Sequence, residues 1–344
     1  MGRWLVASGW LGALTLALGL GAAWPAAAEQ PLFPPGTDSR LVARASDAVV
    51  GVVSVAVDNA NSNATLGPVR QGSGVVIGPN GLVLTIGYLI LEADQVMLYT
   101  DEGREVPAAV VGYDVATGFG LVKALIPLDL PPATLGDPAS IEDDETLVVV
   151  SGGSDAGLSA ARRVAWRPFS GYWEYHLEQA LFTAPARSDH SGAALFNLRG
   201  ELLGVGSLFV NDALGPGKPP LRGNMFVPVN LLKPILGELL SQGRSAQSRR
   251  AWMGVNCMDI DGDIRVVRVS RGGPAEAAGL QPGDQILRLD GQVVASVGEL
   301  WRTLWAGGEA ERNVALDLLR GGRPLKLMLH TVDRQSAIKQ PEGT

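Results

Sequence analysis

The stretch from Gly72 to Ile90, GSGVVIGPNGLVLTIGYLI, decides the fold. Two short apolar runs flank Pro79-Asn80-Gly81, a trio that turns a chain tightly because proline presets φ while asparagine and glycine tolerate positive φ. That is a β-hairpin pattern, and runs of the same size continue along the chain. LVARASDAVVGVVSVAVDN (residues 41–59) predicts a helical turn and then a strand. QVMLYT, AAVVGY, FGLVKAL, TLVVVSG, RVAWRPF, ALFTAP, AALFNLRGELLGVGSLFV and NMFVPV follow as further strands. About a dozen turn-separated strands predict two packed antiparallel barrels. The 44 glycines and 22 prolines scattered among them agree with a mostly β chain.

With 344 residues, 46% of them hydrophobic, the chain is long enough for two or three domains with cores of their own. Met1 to Ala28 carries Arg3 as its one charge and ends in three alanines, which reads as a secretory signal. The alternative is an uncleaved membrane anchor, since about 20 apolar residues span a bilayer. Both readings place the remainder outside the cytoplasm, with the bacterial periplasm as the expected compartment. Residues 29–40 read as a flexible arm. A formal net charge of −7 argues against nucleic acid as a partner.

Cys257 is the sole cysteine, so no disulfide forms within the chain, and its neighbours in NCMDID offer no base to activate a thiol. Asp259, Asp261 and Asp263 in DIDGDI resemble part of a calcium loop, but no glutamate follows to complete it and Asp261-Gly262 is a hairpin-turn pair. No metal or other cofactor is expected.

After residues 41–242, which hold the barrel strands, the pattern changes. LLKPILGELLSQ (Leu231 to Gln242) has helical spacing with Gly243 beyond its end. GRSAQSRR (residues 243–250) lacks apolar periodicity and reads as a linker. A second unit covers residues 251–334, with a helix whose start is marked by Ser296 and Glu299, a capping box. Residues 335–344 read as a frayed tail.

In this order the motifs resemble the HtrA family of exported trypsin-like serine proteases, in which a double-barrel protease domain precedes a PDZ domain. GSGVVIGPNGLVLT, DEGREVPAAVVGYD, SGAALFNLRGELLGV and NMFVPVNLLKPILGELLSQGR follow the family's pattern, and GGPAEAAGLQPGDQILRLDGQVV (Gly272 to Val294) resembles a PDZ signature. The resemblance places the nucleophile at Ser191, in SDHSGAALFN. It also places Tyr88, in LTIGYLI, where the family carries its catalytic histidine, and Gly118, in DVATGFGLVK, where it carries the aspartate. The glycine whose N–H helps form the family's oxyanion hole is Asp189, which brings a negative charge beside the place where negative charge would develop.

A serine hydroxyl needs a base to become a nucleophile. Tyr88 is a poor one: a phenol with an ordinary pKa near 10 is ionised to roughly one part in a thousand at neutral pH. His190 adjoins Ser191, but neighbouring side chains on a turn diverge. His176 reads as a surface strand residue and His330 belongs to the last PDZ strand. Ser-Lys chemistry would need Lys123 or Lys218 poised in the cleft, and neither sits in a motif for that role. The resemblance further implies a carboxylate-binding loop at Trp252, Met253, Gly254 and Val255, with Leu300, Trp301 and Leu304 as candidate lining of the peptide groove or as core.

The expectation is an exported pseudoprotease that grips extended or C-terminal peptides and misfolded proteins through its cleft and PDZ domain. A residual serine endopeptidase using Ser191 is the rival reading. Assembly as a homotrimer, or with active relatives that this chain regulates, is a further expectation carried by the resemblance.

Overall fold

The computed structural model of the chain describes residues 33, 35, 37–153 and 156–339. The expected signal segment and half of the arm lie outside the described residues, and the arm's last two residues, Ser39 and Arg40, are already helical. Ser39–Ser46 is a short helix capped by Asp38, whose carboxylate accepts from the Arg40 N–H at 2.9 Å. The first barrel then closes from six antiparallel strands in the order Val49–Ala56, Val69–Gly78, Leu82–Ile86, Phe119–Ala124, Glu105–Tyr113 and Ala93–Tyr99. The turn at Pro79-Asn80-Gly81 is where the sequence puts it, with Gly81 at φ 69°.

The second sheet runs Ala194–Phe196, Leu147–Ser151, Gly157–Gly171, Tyr175–Ala184, Gly223–Pro228, Glu201–Val210 and Thr134–Leu135. It curls into a barrel because Ala194–Phe196 pairs with both Leu147–Ser151 and Glu201–Val210. Val52, Leu84, Leu98, Phe119 and Leu121 are fully buried in the first barrel, and Leu181, Phe182, Phe196 and Phe226 in the second. Two of its strands meet at a tip: Gly171 faces Tyr175 across the hairpin, leaving Tyr172, Trp173 and Glu174 as the connecting residues.

The third body, residues 251–333, is a sheet ordered Val255–Ile260, Asp263–Val269, Gln285–Leu289, Asn313–Arg320 and Arg323–His330, with the helix Val297–Ala306 packed against it. Its core includes Met253, Cys257, Leu300, Trp301, Leu304 and Leu316. Asp261 and Gly262, at φ 53° and 85°, form the turn between the first two strands, as expected of a hairpin pair. Ser296 caps the helix by accepting from the Glu299 N–H at 3.1 Å, while Glu299 accepts from the Ala295 N–H at 2.7 Å.

Three sequence expectations need correction. The helix begins at Leu236 instead of Leu231: Val229–Leu231 is a single 3-10 turn, and Pro234 has no N–H to carry a helix through. The linker is not loose. Ser245 and Ser248 are buried, and both hydroxyls donate to the Asp114 carboxylate, which the Thr117 N–H and hydroxyl also bond at 2.8 and 2.6 Å. Nor does the chain fray directly after Arg334: Arg334–Ala337 is a 3-10 turn, the Asn61 side-chain amide donates to the Ala337 carbonyl, and the Lys339 N–H donates to Glu92, while the rest of the expected tail lies outside the described residues.

Asp114 is fully buried, so its solvation by these protein groups replaces lost water. Asp114→Ala strands those donors and is expected to lower unfolding stability by about 3 kcal/mol. Urea denaturation followed by tryptophan fluorescence measures it, and a change within a few tenths of a kcal/mol would refute the role.

Candidate functional site

Ser191 sits on a turn pressed against the first barrel. The Ser73 N–H donates to the Ser191 carbonyl at 2.8 Å, and Gly192 follows at φ 74°. A Cβ at Gly192 would stand 1.9 Å from the Ser73 carbonyl oxygen, so only glycine fits there. The adjoining N–H groups of Gly192 and Ala193 donate to the carbonyls of Gly206 and His190 at 2.8 and 3.1 Å. A cleft of about 350 Å³ opens beside the serine, lined among others by Val52, Gln71, Ser73, Tyr99, Gly152 and Asp189.

Tyr88, on the 3-10 turn after strand Leu82–Ile86, reaches across to place its hydroxyl 2.8 Å from Ser191 Oγ and 2.7 Å from the Ser207 carbonyl. A carbonyl can only accept, so the one phenol hydrogen goes to Ser207 and the Ser191 hydroxyl donates to the phenol oxygen. The geometry resembles a serine offered to a base. The chemistry does not, because a neutral phenol oxygen has almost no affinity for a proton. Burial pushes the Tyr88 pKa above its ordinary value, with the bond from Ser191 pulling weakly the other way, so phenolate is rarer still.

The point where the resemblance expects an aspartate is closed as well. Gly118 has φ 83°, and a Cβ there would lie 3.0 Å from the Tyr175 hydroxyl, which donates to the Thr117 carbonyl at 2.6 Å. An aspartate at this point would be strained in its backbone and would meet Tyr175.

Asp189 is less of an open negative charge than the sequence suggests. Arg187 bonds both of its oxygens, Nε to Oδ1 at 2.9 Å and a terminal nitrogen to Oδ2, and the Ser151 hydroxyl donates to Oδ2 as well. Burial pushes the carboxyl up, but these hydrogen bonds and the Arg187 charge outweigh it and hold Asp189 below the ordinary range.

The histidines go elsewhere. The His190 ring lies 3.2 Å from the Arg187 carbonyl, and His330 pairs with Asn313 at 3.0 Å. His176 is not a surface residue: it is 8% exposed, beside Ser170 at 2.9 Å, where Gly298 of the PDZ helix passes so closely that a Cβ would meet Ser170 Oγ at 2.6 Å. Lys123 lies on strand Phe119–Ala124 opposite Leu82, and Lys218 is exposed in a loop. Among the described residues, the side chain bonded to the Ser191 hydroxyl is that of Tyr88.

At the second site the N–H groups of Met253, Gly254 and Val255 converge, with Gly254 at φ 82° to let them do so. They all donate to one carboxylate, that of Glu174: Met253 at 3.0 Å, Gly254 at 2.7 Å and Val255 at 3.1 Å. Trp252 instead lies in the short strand pair with Val332. Leu300, Trp301 and Leu304 are fully buried core residues, and Trp301 also donates from its ring N–H to the Gly171 carbonyl at 3.1 Å. Cys257 is buried, which pushes its thiol pKa up, and its N–H donates to the Tyr172 carbonyl at 2.7 Å.

Glu174 went unnoticed in the sequence. A glutamate at a hairpin tip reads as solvated, and only its aromatic neighbours in YWEY hint at burial.

Residues 72–205 match the trypsin-like peptidase domain and residues 251–331 the PDZ domain. The chain carries a trypsin-like peptidase domain followed by a PDZ domain, and the proteins it is similar to are HtrA- and DegP-like serine proteases. It is 28% identical over 298 residues to the putative serine protease HhoA of Synechocystis, a match covering 76% of this chain and 70% of that protein. It is also 28% identical to the periplasmic pH-dependent serine endoprotease DegQ of Escherichia coli, over 74% of this chain and 58% of the relative, so it spans little more than half of DegQ. The solved HtrA-type protease AlgW with a decapeptide shares its fold at a TM-score of 0.52 and 21% identity, covering 86% of this chain and 98% of AlgW. Among the described residues, no helix is long and apolar enough to cross a membrane.

Glu174 gives this chain a pH signature. Burial pushes its carboxyl from 4.5 up to about 7, against the pull of the Met253 N–H, the Arg334 charge and the other two N–H groups. A carboxyl with a raised folded-state pKa favours folding when protonated: the contribution is full below pH 4.5 and is lost as pH rises through about 7. His176, held below its ordinary value by burial, acts in the opposite sense. The urea midpoint of the wild type is therefore expected to fall between pH 5 and 8 relative to that of Glu174→Gln, and parallel profiles for the two proteins would refute this.

Proposed function

We propose that the chain is an exported, HtrA-type pseudoprotease that binds extended polypeptides without cleaving them. The observation that carries this reading is the Tyr88 to Ser191 pair, a hydroxyl bonded to a hydroxyl where proton abstraction needs an imidazole. Deleting the histidine of a serine-protease triad costs on the order of a millionfold in turnover. Gly118, filled over by Tyr175, removes the group that would orient a base. Binding does not share these losses, because an extended chain pairs with exposed backbone and needs no triad. The cleft beside Ser191 and the three N–H groups of the PDZ loop are the surfaces for it.

Cleavage of unfolded casein by purified protein, with Ser191→Ala alongside, tests the reading. Wild type and variant are expected to release fragments at the same background rate, and a fluorophosphonate probe is expected to leave Ser191 unlabelled. Turnover or labelling that disappears in Ser191→Ala would instead establish the residual endopeptidase.

A further inference from the structure

We propose that the PDZ groove is occupied in cis: the hairpin tip Gly171–Tyr175 is seated as its ligand, and a carboxylate-bearing extended peptide enters only by displacing Glu174. This rests on the peptide-binding reading above and adds how that site is regulated. A groove of this kind is built from an edge strand and a loop of convergent N–H donors. Strand Val255–Ile260 is the terminal strand of its sheet, so one side of it is free to accept another chain. The hairpin takes that place. Trp173 bridges Asn256 in antiparallel fashion and the Cys257 N–H donates to the Tyr172 carbonyl at 2.7 Å. From Tyr172 to Glu174 the chain runs toward the loop, the polarity in which an incoming peptide would deliver its carboxylate.

The loop's donors are then spent on Glu174, which is 3% exposed. Further bonds hold the same segment: Trp301 to the Gly171 carbonyl at 3.1 Å and Arg334 to the Glu174 carbonyl at 2.7 Å. Trp173 stacks on Tyr175 with ring centroids 5.7 Å apart. A competitor in solution faces a tethered ligand whose effective concentration is in the millimolar range. If the open form is a tenth of the population or less, its apparent affinity falls at least about tenfold.

The ligand chemistry is a carboxylate, supplied by a C-terminus or by an acidic side chain, and three labelled probes separate these. Pro-Phe-Ser-Gly-Tyr-Trp-Glu as the C-terminal amide carries only a side-chain carboxylate; the same peptide ending in Gln carries only a terminal carboxylate as the free acid and none as the amide. Fluorescence anisotropy is measured on the full chain as wild type, Glu174→Gln and Glu174→Ala, with thermal melts confirming folding. At least one carboxylate probe is expected to bind both variants tenfold or more tighter than wild type, the Gln amide remaining weak throughout. Equal affinity for wild type and variants would overturn cis occupancy while leaving peptide binding intact, and binding to none of the three would overturn both. Hydrogen exchange gives a readout independent of any probe: the Met253, Gly254 and Val255 amides are expected to be protected in wild type and to lose protection in Glu174→Ala, and rapid exchange in wild type would also overturn the proposal.

Discussion

A buried carboxylate with its full complement of donors ties the barrels to the PDZ body. Glu174 has given up water, and the Met253, Gly254 and Val255 N–H groups together with the Arg334 charge offset that loss. Because those donors diverge if the loop moves, the carboxylate fixes the loop as firmly as the loop fixes the hairpin. Asp114 does the same at the linker, with serine and threonine hydroxyls joining the Thr117 amide as donors. Breaking either set by removing one partner is far costlier than never having built it, so the two domains are held by arrangements that resist partial change.

The hairpin that carries Glu174 also closes the protease-like centre. Tyr175, the next residue, directs its hydroxyl to Thr117 and covers Gly118. On the pseudoprotease reading, catalytic loss would be spread over several coupled positions: a phenol whose proton is committed to Ser207, a left-handed glycine under Tyr175, and Asp189 locked to Arg187 and Ser151. Placing a histidine at Tyr88 would supply one group and leave the other two unchanged. Ser191 keeps its place because the turn does: Gly192 fits against Ser73 through backbone geometry that is indifferent to what the hydroxyl can do.

The strands, the Asp261-Gly262 turn, the Ser296 cap and the order of the two domain types were legible because each is written locally, in alternation, turn chemistry or spacing. Tyr88 and Gly118 can be singled out from the sequence because they fall inside motifs in which the resemblance expects other residues. What the sequence hid is long-range. Glu174 and Gly254 are 80 residues apart and Asp114 and Ser248 are 134 apart, and no local pattern pairs them. Residues 243–250 read as a linker because their serines point at a buried carboxylate instead of contributing to an apolar face. His176 reads as a solvent-facing strand residue for a related reason, but its ring lies beside Ser170, where Gly298 of the PDZ helix passes.

Neighbouring residues of an extended chain point in opposite directions, and Glu174 and Tyr175 use this to address two sites at once. One enters the PDZ loop while the other seals the slot beside Gly118. The hairpin is therefore a shared element. If a ligand takes the loop only when Glu174 is out, the free energy it contributes to displacement is its differential affinity for the two hairpin positions and no more. By reciprocity, whatever stabilises Tyr175 in its slot weakens that ligand by the same factor. The Tyr175 hydroxyl bond to Thr117 and the Trp173 stack consequently belong to the affinity of the PDZ groove, although neither touches a residue of its loop.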